Sequence, residues 1–68
     1  MLDIINVRKG GKVTIFLKNG MRVTATVHNV DRGIASFKDG FVDQPGMPRH
    51  PITEVAQFRG EEICGVEY

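Results

Sequence analysis

Between Val13 and Lys18 the chain alternates apolar and polar side chains, with Val13, Ile15 and Leu17 on one side and Thr14, Phe16 and Lys18 on the other. That period of two belongs to a strand with one buried face. The pattern resumes from Met21, where Val23, Ala25 and Val27 alternate with Arg22, Thr24, Thr26 and His28. Asn19 and Gly20 lie between the two runs, and both tolerate positive φ, so a hairpin closed by a two-residue type I′ turn is expected. Asp31, Arg32 and Gly33 read as a turn or bulge, followed by a third strand over Ile34 to Phe37. Asp39-Gly40 reads as another hairpin turn, with a short fourth strand around Phe41 and Val42. Pro45, Gly46, Pro48 and Pro51 interrupt regular structure. A fifth strand is expected over Ile52 to Phe58, closed by Gly60.

The two ends are less determined. Asp3 is placed to cap a short helical turn carrying Ile4, Ile5 and Val7 and ended by Gly10 and Gly11, although the paired isoleucines suit a strand equally well. Residues 61–68 read as a sixth short strand or a tail. The expected fold is therefore all-β: a small, strongly bent, five-stranded, SH3-like open barrel in one domain spanning residues 1–68. Within it, 1–12 form the N-terminal segment, 13–58 the barrel, and 59–68 the tail or extra strand.

Size and composition narrow the chemistry. Sixty-eight residues lie near the lower limit for an independently stable core. The single cysteine, Cys64, allows no intrachain disulfide and is expected to pack as a small hydrophobe. His28, His50 and Cys64 are too dispersed for a zinc motif, so no metal or cofactor is expected, and oligomerisation is the expected source of extra stability. The lone cysteine and the lack of a signal peptide or long apolar run suit a cytoplasmic protein away from membranes. Net charge is only +1, but residues 1–38 carry +5 and residues 39–68 carry −4. Such segregation can give one basic face that attracts phosphates. No nucleophile elbow, phosphate loop or Ser/His/Asp order is present, so catalysis is not expected.

The stretch "VTIFLKNGMRVTATVHNVDRGIASFKDG" resembles the first motif of the Sm-like superfamily, with Leu17, Asn19, Gly20 and Asp31 at its characteristic places. "RHPIT", residues 49–53, resembles the second motif of the bacterial Hfq-type branch. The resemblance implies an Sm-like barrel assembled as a homo-oligomeric, six-membered ring that binds single-stranded RNA, uridine-rich or adenine-rich, and acts as an RNA chaperone. It would place Arg49 and His50, with Arg32, at a proximal pore site. Phe16, Gly20, Met21, Arg22 and Thr24 would form a distal site, and Arg8 and Lys9 would lie on the rim. Asp31 matches the motif acid and would fix its turn.

The sequence also departs from the family pattern. Gly33 stands where a stacking aromatic is usual, Ala25 where the second strand usually has a glycine, and Pro45 and Pro48 where the fourth strand should pair with a neighbour. The competing reading is an SH3-like protein-interaction or assembly module without RNA binding. A third is an Sm-like ring whose RNA site has decayed.

Overall fold

The computed structural model describes residues 2–68. Strand β1, Lys12–Leu17, points Val13, Ile15 and Leu17 into the core, as the alternation requires. It pairs antiparallel with β2, Arg22–Asp31, which buries Val23, Ala25 and Val27. The connecting turn differs from the expected type I′. Of the pair Asn19-Gly20, only Gly20 has positive φ, at 91°. The Gly20 N–H donates to the Leu17 carbonyl at 3.0 Å, and the Leu17 N–H to the Met21 carbonyl at 2.8 Å. This is a three-residue loop, a tight turn followed by a left-handed glycine. The Asn19 side chain accepts from the Met21 N–H at 3.0 Å and so holds the asparagine outside the left-handed region. The two-residue turn with positive φ at both positions lies instead at Arg32 (51°) and Gly33 (77°), between paired Asp31 and Ile34.

Strand β3, Ile34–Asp43, runs straight through Asp39-Gly40, where a hairpin was expected. Pairing passes from Thr24↔Phe41 to Thr26↔Lys38, so the extra residue on β3 is absorbed as a bulge, with Asp39 at φ 53°. A Cβ at Gly40 would overlap the Thr24 carbonyl and Ala25, so the glycine is there for a close approach of two strands rather than for a reversal. The short fourth strand of the sequence reading is thus the second half of β3. A second bulge leaves exposed His28 between Val27↔Phe37 and Asn29↔Ser36. The two irregularities bend the longest strand pair, and the bend lets one sheet wrap its own core.

Of the expected strand Ile52–Phe58, only the part from Ala56 forms. Strand β4 is only His50–Pro51, beside Val42 and Phe41, and β5, Ala56–Arg59, pairs with the first half of β3. Pro51 is tolerated because β4 lies on the sheet edge, where a missing N–H leaves no ladder bond open. Pro45 and Pro48 lie in the loop before β4, so β5 itself contains no proline. After a 3₁₀ turn, Gly60–Glu62, strand β6, Ile63–Glu67, pairs with β1. The tail is therefore a strand, giving six rather than five. The order is β4-β3-β2-β1-β6, with β5 also on β3. Both margins of the described sheet stay unpaired, with β5 beyond β3 and β6 beyond β1.

The N-terminal segment is a helix, α1, Leu2–Val7, with Asp3 inside its first turn rather than capping it. Six residues do not hold a helix in water unaided. Ile5 is its one buried side chain and is fully enclosed, a contact contributing about 2–3 kcal/mol. Beyond α1, the Gly10 N–H donates to the Val27 carbonyl and the Val27 N–H to the Gly11 carbonyl, both at 2.9 Å, tying the segment to β2. Phe37 is the largest fully buried residue, and the Phe58 ring of β5 packs on it at 6.1 Å between centroids. Cys64 is exposed, because it alternates with buried Ile63 on β6. Among the described residues, no helix is long and apolar enough to cross a membrane.

Candidate nucleic-acid interface

Two separate parts of the surface collect the candidate residues. The larger is a 620 Å³ cavity where three segments meet: Leu2 and Asp3 of α1, the turn Arg32-Gly33-Ile34, and Arg59-Gly60-Glu61. The Gly60 N–H donates to the Gly33 carbonyl at 2.8 Å, so the β2–β3 turn and the end of β5 are joined through backbone. A Cβ at Gly60 would sit 2.7 Å from a Leu2 methyl carbon, so the glycine lets the Leu2 side chain of the helix lie against this junction. Arg32 is at the tip of its turn and 91% exposed, with Asp31 at 3.9 Å. Arg59 reaches Glu61 at 3.7 Å, and both are exposed. Pairs this open are weak and leave both guanidinium groups available to a ligand.

The second part is the outer face of the sheet. Alternation puts Thr14 and Phe16, Arg22 and Thr24, and Phe41 and Asp43 on the side away from the core. Register sets them in two rows: Phe16 beside Arg22 beside Asp43, and Thr14 beside Thr24 beside Phe41. Glu67 on β6 extends the second row. Together with Arg49 they line a 250 Å³ cavity. Thr14 and Thr24 hydroxyls lie 3.1 Å apart on its floor. Arg49 Nε donates to Asp43 Oδ1 at 3.0 Å while its guanidinium lies 3.9 Å over the Phe41 ring. Arg22 Nη2 reaches Asp43 Oδ2 at 3.4 Å. The expected charge segregation is undone at one point, where Arg22 of the first half of the chain pairs with Asp43 of the second.

Arg49 and His50, adjacent in sequence, are not brought together. Arg49 joins Phe16, Arg22 and Thr24, residues expected on the opposite face of a ring. His50 pairs with Val42, one position out of step with Phe41 and Asp43, so the pleat turns it to the other side. Arg32 lies with Arg59 instead. Gly20 borders a neighbouring 300 Å³ cavity with Phe16, Arg22 and Gln44, while Met21 is half-buried against the core. The Phe16 ring leans on Gly65, its cross-strand neighbour on β6. Of the rim pair, Arg8 stacks 4.0 Å over the Tyr68 ring and Lys9 is exposed. Among the described residues, no three His, Cys, Asp or Glu side chains converge so as to hold a metal ion.

No family model and no curated protein matches the sequence. The crystal structure of an SmAP (LSm) protein from Methanococcus vannielii matches with a TM-score of 0.73 at 19% identity, over 98% of this chain and 92% of that one. This chain has an Sm-like fold. At that identity the likeness is one of backbone, and the side chains have to be judged on this chain's own geometry.

On this Sm-like fold, sequence reading passed over Arg59, Gly60 and Glu61 in one cavity and Phe41 and Asp43 in the other. Gly60 was read only as the end of a strand. A signal was nonetheless present, since an arginine followed by a glycine at the end of an alternating run marks a cation at a point of close backbone approach. Phe41 and Asp43 were lost when Asp39-Gly40 was read as a hairpin, which broke the register joining them to β2.

Asp43 is the electrostatic centre of the outer face. The hydrogen bond from Arg49 holds its carboxyl below the ordinary 3.8; partial desolvation opposes this, and the charges of Arg49 and Arg22 add to the lowering. A carboxyl with a lowered folded-state pKa stabilises the fold above its unfolded value, and that contribution disappears as pH falls through the folded one. Asp43→Asn should therefore melt below the wild type at neutral pH, with the gap closing as pH falls below 3.8. Paired thermal melts across that range check this; a gap that persists unchanged in acid contradicts the assignment.

Proposed function

We propose that this protein binds single-stranded RNA as a homo-oligomeric ring, with the Arg32 and Arg59 cavity as the repeated contact. The observation that supports it most is the joining of the Arg32 turn to the Arg59 end of β5 by the Gly60–Gly33 backbone bond, on an Sm-like fold. Gly33 removes the aromatic platform usual in the resembled family, but a guanidinium plane also stacks on a base and its forked donors reach base or phosphate oxygens. Asp3 and Glu61 balance the two cations in charge. A single chain therefore offers a polyanion little net attraction, and repetition around a ring supplies the avidity. Free margins at β5 and β6 make such repetition feasible, because head-to-tail pairing of β6 on one copy with β5 on the next propagates around a closed circle. Uridine-rich segments suit this cavity, whereas the outer face, with Phe16, Arg22 and Thr24, offers a second surface for adenine-rich ones. Holding segments on two surfaces raises the chance that two RNAs meet, which is the non-covalent action of an Hfq-like RNA chaperone in the cytoplasm.

Titration of a labelled oligouridylate tests this reading. Arg32→Ala with Arg59→Ala should weaken binding roughly tenfold or more, at about 1–3 kcal/mol per stacked base, without changing native mass. Wild-type affinity should also fall steeply with salt, because phosphate contacts release counterions. Equal affinity in wild type and double variant would remove this cavity from the account. No binding by either at low salt would favour a protein-interaction module.

A further inference from the structure

The outer face is internally satisfied in a way that a simple open binding surface is not. The Arg49 guanidinium carbon lies 3.9 Å over the Phe41 ring, so one side of that ring is already covered. Asp43 fastens it there and takes Arg22 as well, so a single carboxylate occupies both forked cations. Arg22, Arg49, Asp43 and Glu67 leave the cavity with no net charge. Its two aromatic rings, two hydroxyls and two guanidinium groups are nonetheless what a planar base with an attached phosphate requires: rings to stack on, hydroxyls for base edges, cations for the phosphate.

We propose that Arg49 is a latch: Asp43 holds it over Phe41 in the free protein, and a base of single-stranded RNA displaces it, stacking on Phe41 while Arg22 and Arg49 turn to the phosphate. This rests on the RNA-binding reading and deepens it, since it makes the second surface closed until a ligand competes for it. Several observations support a latch rather than a fixed structural clamp. The Arg49 side chain is 58% exposed and the Arg22 side chain 52%, and ion pairs so open to water are weak enough for a ligand to replace. Arg49 also sits at the end of the loop that follows β3. Between Gln44 and Arg49 this loop has one internal backbone hydrogen bond, Met47 N–H to the Gln44 carbonyl at 3.1 Å. Movement of Arg49 therefore need not disturb the sheet. Phe41, by contrast, is fixed in the ladder between Thr24 and Pro51. The ring stays in place while its cover moves.

The experiment titrates labelled oligoadenylate with wild type, Asp43→Asn, Glu67→Gln, and Asp43→Asn combined with Phe41→Ala, each verified to be folded. Releasing the latch should tighten binding by about three- to tenfold, the scale of one exposed ion pair plus one cation–π contact. Glu67→Gln removes the same charge from the same cavity without an ion pair to either arginine, so its gain reports charge alone and should be clearly smaller than that of Asp43→Asn. Adding Phe41→Ala should abolish the gain, as coupled residues do in a double-mutant cycle. In the wild type, the Arg49 Nε–H resonance should shift as oligoadenylate saturates the protein, a readout that needs no variant. Equal gains in Asp43→Asn and Glu67→Gln, a gain that survives Phe41→Ala, or an unmoved Arg49 resonance at saturation would each overturn the latch. If wild type binds RNA and Asp43→Asn shows no gain, the latch fails and the RNA reading stands. If no variant binds oligoadenylate or oligouridylate, both fail.

Discussion

Replacing Gly40 with alanine should cost about 3 kcal/mol, the upper end for forcing extra volume into a packed site. The added Cβ would meet the Thr24 carbonyl and the Cα and Cβ of Ala25. None of these is the free end of a flexible side chain. Strain in φ plays no part, because Gly40 is not among the residues at positive φ. For a domain of this size the melting temperature should fall by about 12–24 °C. Gly46→Ala is the matched comparison. Gly46 has φ 75° with nothing near its missing Cβ, so only backbone strain applies, at about 1–2 kcal/mol. Thermal melts of the two variants separate contact from conformation. A Gly40→Ala protein melting with the wild type would mean that the bulge does not bring β2 and β3 so close.

The same glycine shows where sequence reading reached its limit. Alternation identified β1 and most of β2 correctly because the sheet buries one face there, and period-two burial leaves a direct mark on residue choice. Asp39-Gly40 has the composition of a turn, yet its glycine answers a steric need between strands that are neighbours only after folding. Local chemistry does not distinguish the two uses. The Ile52–Phe58 run misled for a related reason. Its side chains suit a strand throughout, but β3 is bent at the bulge, and only the part of the run from Ala56 lies along it, as β5. The candidate site was legible only in part: Phe16, Arg22, Thr24 and Arg49 are named by the sequence, Phe41 and Asp43 are not, and Arg49 was grouped elsewhere. Phe16, Arg22 and Thr24 do share a face, as their spacing on one hairpin dictates. Arg49 joined them, and separated from His50, because pleat and register decide the side, and both are set by a strand pairing that sequence reading had placed elsewhere.

Charging the sheet margins should dissolve the proposed ring. Gln57 on β5 and Cys64 on β6 are exposed, so neither side chain contributes to the core of the single chain. Neither strand contains the proline or lysine that commonly protects an unpaired margin. Gln57→Lys with Cys64→Lys places like charges on both margins and should reduce the protein to a 7.6 kDa monomer with little change in its melting profile beyond the loss of assembly. Gln57→Lys with Cys64→Glu, carrying opposite charges, should retain the larger mass. Binding of oligouridylate should weaken with the first pair and survive the second, since avidity depends on repetition of the arginine cavity. Retention of the large mass by the doubly lysine-substituted protein would locate the interface away from these two strands.

The most direct test of the proposed RNA-binding ring is the native mass of the wild type, measured by light scattering at two well-separated concentrations. The account predicts one mass at both, about six or seven times the 7.6 kDa chain, because a closed ring leaves no margin for further growth. A monomer or dimer at both concentrations would contradict it, leaving the Arg32 and Arg59 cavity without repetition and the free strands of the sheet without a partner.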